Sequence, residues 1–168
     1  ALRSRFPFMA KQTHNHTSAD GALSTNRKAL RDYHVLEKFE AGIVLVGTEV
    51  KSMRNRQISM EESYVRIDGG EAVLVNMHVL AYDHGNQFNH DPVRKRKLLL
   101  HKRELLRLAA QMQLKGLAVV PLKIYLKKGF IKVQLGLCKG KQQQDKREDM
   151  KRKTADREAE RAIRARRN

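Results

Sequence analysis

Two apolar rhythms alternate along this chain. "YHVLEKFEAGIVLVG" holds a strand-like apolar run, and "TEVKSMRN" after it predicts a short helix with Thr48 as its N-cap. "SYVRI" and "AVLVNMHVLAY" flank Asp68-Gly69-Gly70-Glu71, a two-glycine hairpin signal. In the second of these strands Val73, Val75, Met77 and Val79 alternate onto one face. "HKRELLRLAAQMQLKG" then changes period. Leu105, Leu108, Ala109 and Met112 share one side of a helix, and Gly116 stands where a C′ glycine would end it. Further on, Val120, Leu122, Ile124 and Leu126 alternate with Pro121, Lys123 and Tyr125. A turn at Lys127-Lys128-Gly129 brings the chain back through Ile131, Val133, Leu135 and Leu137. Pro121 cannot donate to a ladder, so its strand is an edge or is bulged there.

The pattern amounts to five or six short strands joined mostly by hairpins, with two or three short helices. So few helices cannot cover a flat sheet. A mainly β, small antiparallel OB-like barrel buries these faces most simply. Residues 26–138 form this body. Residues 1–25 are polar, lack an apolar period and read as a disordered N-terminal extension. Its His14 and His16 read as solvated rather than metal-binding. "ALRSRFPF" reads as an upstream extension or an appended remnant in preference to a transit peptide. Residues 139–168 form a tail dominated by Lys, Arg, Glu, Gln and Ala. Glu148–Arg152, Asp149–Lys153 and Glu160–Arg164 are i, i+4 pairs that favour a helix. Met150 and Ile163 are too few for a docking stripe. The tail is expected to be disordered when free and helical once a polyanion screens its charges.

Charge changes the picture most. The 168 residues include 35 Lys+Arg and 18 Asp+Glu, a net charge of +17. The body carries +9 and the tail +6. Such an excess repels itself unless a polyanion neutralises it, and nucleic acid is the default partner. No apolar run approaches the roughly 20 residues of a spanning helix. Aromatic residues make up 5%, with no Trp, so binding through phosphates and shape is favoured over many stacked bases. Cys138 is the only cysteine. It excludes an intrachain disulfide, fits a reducing cytoplasm and reads as a small buried hydrophobe.

Candidate chemistry is accordingly binding chemistry. Arg94, Lys95, Arg96, Lys97, Lys102 and Arg103 surround Leu98-Leu99-Leu100, six cations within ten residues. Lys51 and Arg54 add to them. Glu40 and Glu49 resemble a catalytic pair, but isolated acids beside strands serve more often as hydrogen-bond or ion-pair partners. In an RNA binder an acid also accepts from a ribose 2′-OH. Asp83, His84, His90 and Asp91 match no metal-site spacing. No nucleophile elbow, P-loop or dinucleotide fingerprint occurs. No catalytic residue, metal or other cofactor is expected.

Three separated stretches carry a resemblance: "NRKALRDYHVLEKFEAGIVLVGTEVKSMR", "RKRKLLLHKREL" and "GLCKGKQQQDKRE". In order and spacing they resemble SmpB, the family of bacterial SsrA-binding proteins, over roughly residues 26–151. The resemblance implies a non-enzymatic, monomeric adaptor that binds the tRNA-like domain of tmRNA (SsrA RNA). It implies delivery of that RNA to stalled ribosomes for trans-translation, with elongation factor Tu (EF-Tu) reached through the tmRNA complex. By position, Glu40, Leu99 and His101 match the tmRNA-facing surface. Lys51, Arg54, Arg94, Arg96, Lys97 and Lys102 are expected phosphate contacts around it. Lys139, Gly140, Lys141, Gln144, Asp145, Lys146, Arg147, Lys151 and Arg152 match or extend the start of the family tail. That tail enters the decoding centre of the small ribosomal subunit and lies as a helix in the empty mRNA channel. Gly140 would be its flexible exit and Asp145 its helix start. The family usually carries an aromatic residue or His where this chain has Gln144. Either an amide hydrogen bond replaces stacking, or another residue does. The competing readings are a structural ribosomal or assembly protein, and a nuclease using Glu40 or His90.

Overall fold

The computed structural model describes residues 21–85 and 89–166. The expected disordered extension, with His14 and His16, falls outside these residues up to position 20. From Ala22 it is corrected. Strand β1 (Ala22–Thr25) pairs antiparallel with β8 (Ala118–Lys127), placing Thr25 opposite Lys123. The order continues α1 (Arg27–Asp32), β2 (Tyr33–Ile43), α2 (Gly47–Arg54), β3 (Ile58–Ser59), β4 (Tyr64–Asp68) and β5 (Glu71–Val75). Then follow β6 (His78–Val79), β7 (Arg96–Leu99), α3 (Lys102–Lys115), β8, β9 (Phe130–Gly140) and α4 (Gln143–Arg166).

Pairing runs β1-β8-β4-β5-β7-β2-β9, and β8 also pairs with β9. Six strands therefore close a circuit, and β3–β6 forms a separate two-stranded ribbon. All pairings are antiparallel. Phe39, Ala41, Leu74, Leu98, Val119, Ile124, Val133 and Leu135 fill the interior, with Leu108 of α3 plugging it. Helix α3 ends at Gly116, whose φ of 57° is left-handed. The interior periodicity of α3 and β9 matches the sequence expectation.

Two expected strands differ in detail. "AVLVNMHVLAY" is not continuous. Ala72 and Leu74 are buried, whereas Val73 and Val75 are only partly so, and Asn76 turns with φ of 60°. That kink ends β5 and resets the phase, so Met77 and Val79 point inward again from a second ribbon. In β8 the register slips between Pro121 and Lys123, a bulge rather than an edge. The slip turns Val120 and Leu122 toward Ala29 and Cys138, a second small core under α1. Asn26 ties α1 to this region. Its Oδ1 accepts from the Ala29 N–H at 2.9 Å, and its Nδ2 donates to the Met60 and Pro121 carbonyls. Burial pushes the Cys138 thiol up to about 11, which leaves it a protonated packing group.

Helix α2 is not capped by Thr48. Its N-cap is Val46, two residues earlier, and the Glu49 carboxylate accepts from the Val46 N–H at 2.9 Å.

Candidate nucleic-acid interface

The cation run around Leu98 divides between the inside and outside of the barrel. Strand β7 alternates, so Arg96 and Leu98 point inward while Lys97 and Leu99 point outward. Arg96 has no exposed surface. Its Nε donates to Glu49 Oε1 at 2.8 Å, and its other nitrogens donate to the Met77, Arg94 and Pro92 carbonyls. Arg94 donates from Nε and Nη2 to the two oxygens of Glu49, at 2.8 and 2.5 Å. Arg96 is therefore corrected: it holds the structure and cannot reach a phosphate. Arg94 is part-exposed but committed to the same carboxylate. Burial pulls the Glu49 carboxyl up, yet the Arg94 hydrogen bonds, the Val46 N–H and both guanidinium charges outweigh it and hold it below the usual range. Burial likewise lowers Arg96 from its ordinary value, against the opposing pull of Glu49.

Glu49 is thus a structural anion, held by Arg94, Arg96 and the Val46 N–H. His90 is equally committed. Its Nε2 lies 3.1 Å from the Val79 carbonyl, so that nitrogen carries the proton and Nδ1 accepts from the Thr48 hydroxyl at 2.9 Å. Among the described residues no cluster of His, Cys, Asp and Glu is arranged to hold a metal.

The outward side is a different surface. Strand register aligns Glu40, Gln134 and Lys123 in one row across β2, β9 and β8. The next row holds Leu99, Gly42, Lys132 and Tyr125. A Cβ at Gly42 would stand 3.2 Å from Leu99 Cβ, so the glycine leaves room for the Leu99 side chain, which is 54% exposed. Glu40 and Leu99, far apart in sequence, therefore share one face. Both oxygens of Glu40 are engaged. Lys127 Nζ donates to them at 2.9 and 2.8 Å, and the Tyr125 hydroxyl donates at 2.5 Å. Lys127 and then Tyr125 hold the Glu40 carboxyl below its usual range. Burial, aided by Glu40, pushes the Tyr125 hydroxyl up to about 12.

Lys123, Tyr125, Lys127 and Lys132 were not among the expected contacts. The signal was present in the alternation of "KIYLK", which sends every second residue outward. Of the expected cations, Lys97 is exposed and pairs with Glu71 at 2.5 Å. Lys51 lies over the Tyr82 ring at 5.2 Å. Arg54, His101 and Lys102 are exposed, the last two at the start of α3.

The tail leaves from the opposite end of β2. Gly140 is not a loose exit: it pairs with Tyr33, and Lys139 pairs with His34. The break comes at Lys141–Gln142, and α4 starts at Gln143 rather than Asp145. Gln144 lies in its first turn. Asp145 reaches back to accept from the Gln142 N–H at 3.2 Å, closing the helix start and facing its positive end. The root is bolted to the body. The Lys141 N–H donates to the Asp32 carbonyl at 2.9 Å, Lys146 meets Asp32 at 3.3 Å, and His34 meets Asp145 at 3.5 Å. Lys141 also pairs with Asp149 at 2.5 Å, and that contact holds the Asp149 carboxyl below its ordinary value. Residues 151–165, including Lys151 and Arg152, are exposed throughout.

A small antiparallel barrel with a lysine-rich outer face and a projecting basic helix has the make-up of a nucleic-acid-binding module. The SmpB protein family model matches residues 23–165, and the chain belongs to that family. It is 54% identical to the SsrA-binding protein of Carboxydothermus hydrogenoformans over 144 residues, 86% of this chain and 97% of the relative. It is 52% identical to that of Geobacillus thermodenitrificans, over 86% of this chain and 93% of the relative. A solved chain described as "tmRNA-SmpB: a journey to the center of the bacterial ribosome" matches with a TM-score of 0.61 and 50% identity. The match covers 71% of this chain and 85% of that one.

Proposed function

We propose that this protein is a tmRNA-binding adaptor of trans-translation, with two working parts. The barrel grips the tRNA-like domain of tmRNA, and the basic helix enters the decoding centre and the vacant mRNA channel of the small subunit. The carrying observation is the outward face on which Glu40 and Leu99 stand in neighbouring rows among lysines. Cations set on a pleated surface suit phosphates spaced along an A-form backbone. Lys51, Arg54, Lys97, His101 and Lys102 extend this contact, while Arg96 supports it from inside. Lys139, Lys141, Lys146 and Arg147 form the start of the tail's ribosomal contact, and Gln144 meets the decoding centre in place of a ring. The protein works in the cytoplasm as a monomer, meets elongation factor Tu only through the RNA complex, and is not an enzyme. Glu40, Glu49 and His90, the residues a nuclease reading would use, are each engaged by partners within the protein.

Removing residues 145–168 separates the parts. The truncated protein should retain tmRNA binding in a gel-shift assay within a few-fold but lose peptide tagging on stalled ribosomes. Loss of tmRNA binding on truncation would overturn the division. Recovery of the intact protein in mature ribosomes lacking tmRNA would favour a structural ribosomal role.

A further inference from the structure

The β8–β9 turn carries Phe130, which is 71% exposed. Hairpin closure does not require this. Lys128 and Gly129 supply the turn, with φ of 50° and 82°, and Phe130 merely pairs with Lys127 across it. A large ring held in water beside three lysines, Lys127, Lys128 and Lys132, contributes nothing to folding and is open to a ligand. Phe130 helps line an open groove of about 270 Å³, together with Gly42, Ile43, Val50, Leu99 and Ile131. The groove offers apolar surface and a ring. The one charged residue in its lining is Lys132, with Lys128 in the adjoining turn. That combination suits a flat apolar group tethered to phosphates.

We propose that this groove receives one unpaired nucleobase of the bound RNA, stacked on Phe130, with its flanking phosphates on Lys128 and Lys132. The inference rests on the RNA-binding reading above and adds a base site to its phosphate face. Gly42 matters here too, because a Cβ there would crowd the Leu99 side chain that helps line the groove. The scarcity of aromatics is no obstacle, since one ring suffices for one base.

The chain has no tryptophan, so Phe130→Trp introduces a unique fluorophore. The tRNA-like domain transcript of tmRNA should bind this variant with affinity near that of the parent and quench its emission. A fully paired RNA duplex of equal length should not quench it. Phe130→Ala, with its thermal melt unchanged, should weaken transcript binding about 5- to 150-fold, the range stacking on one base supplies. The slope of log affinity against log salt should stay constant, because no cation is lost. Unchanged emission with saturating transcript, equal quenching by the duplex, or an Ala variant within twofold of the parent would overturn the base site while leaving the adaptor reading intact. Quenching by ribosomal subunits alone would overturn it too. Failure of the parent protein to bind the transcript would instead bring down the adaptor reading and this inference together.

Discussion

Arg96→Met should damage the barrel and not the RNA contact. Arg96 is fully buried and makes one ion pair and three hydrogen bonds to carbonyls. Removing the guanidinium takes a donor from each of those carbonyls, although Pro92 keeps the Val79 N–H, and it leaves Glu49 with Arg94 and the Val46 N–H. Glu49→Gln is the harsher change, because it strips the anion from Arg96 inside the protein. Breaking a buried pair from one side costs about 3–5 kcal/mol, against a total stability of about 5–15 kcal/mol. The melting midpoint of Glu49→Gln should therefore fall by roughly 10–20 °C. Arg96→Met should fall less, since methionine fills much of the volume. Acid should act in the same direction. The Glu49 carboxyl is depressed in the folded state, so its contribution is fully present above the ordinary carboxylate range and disappears as pH falls through the depressed value. Urea melts from pH 7 down to pH 3 should show a falling midpoint in the parent and a flatter profile in Glu49→Gln. tmRNA titrations at several salt concentrations complete the assay: Arg96→Met should keep the parent's salt slope at temperatures where it is folded. A slope reduced by about 0.9 per contact, with stability intact, would refute the buried assignment. A Glu49→Gln variant that melts within about 1 kcal/mol of the parent would refute the network's importance.

Glu40→Gln removes a negative charge from the lysine-rich outer face yet should weaken tmRNA binding, because Lys127 and Tyr125 lose their common anchor; tighter binding in filter assays would count against this. In the same variant the Tyr125 hydroxyl should titrate below its present value of about 12, though still above an ordinary tyrosine because burial is the larger cause, as read by absorbance of tyrosinate. Cys138 should react with a thiol reagent at pH 8 only as fast as the barrel opens; rapid stoichiometric labelling of native protein would contradict its burial. Asp32→Asn should loosen the tail root, detected as faster proteolysis near Lys141 and Lys146 without a change in the barrel's melting curve.

Which parts could be read from the chain follows from how local their causes are. The Gly69-Gly70 turn, the period of α3 and the alternation of β9 each depend on a few adjacent residues, and the structure reproduces them. The bulge at Pro121 was legible because proline has no N–H to offer. The reset at Asn76 was not, since a left-handed asparagine leaves no mark in an apolar pattern. Arg96 is the clearest case of a non-local cause. Nothing in "VRKRKL" separates the second arginine from its neighbours. Its burial depends on Glu49, which lies 47 positions earlier. The outer face had the same problem. Glu40, Leu99, Lys132 and Tyr125 come from four strands, and only register brings them together. Strand β1 was missed because four residues paired along one edge need no hydrophobic run of their own.

The ion pairs at the root of α4 make the tail a lever instead of a tether. A helix of 24 residues is about 36 Å long, so a tilt of about 10° at its base moves the far end by roughly 6 Å, about the spacing of neighbouring phosphates on a strand. Asp32, Lys141, Lys146 and Asp149 therefore act as an angular gauge. On the two-part reading proposed above, a slack gauge would misdirect the tail even with every tail residue intact.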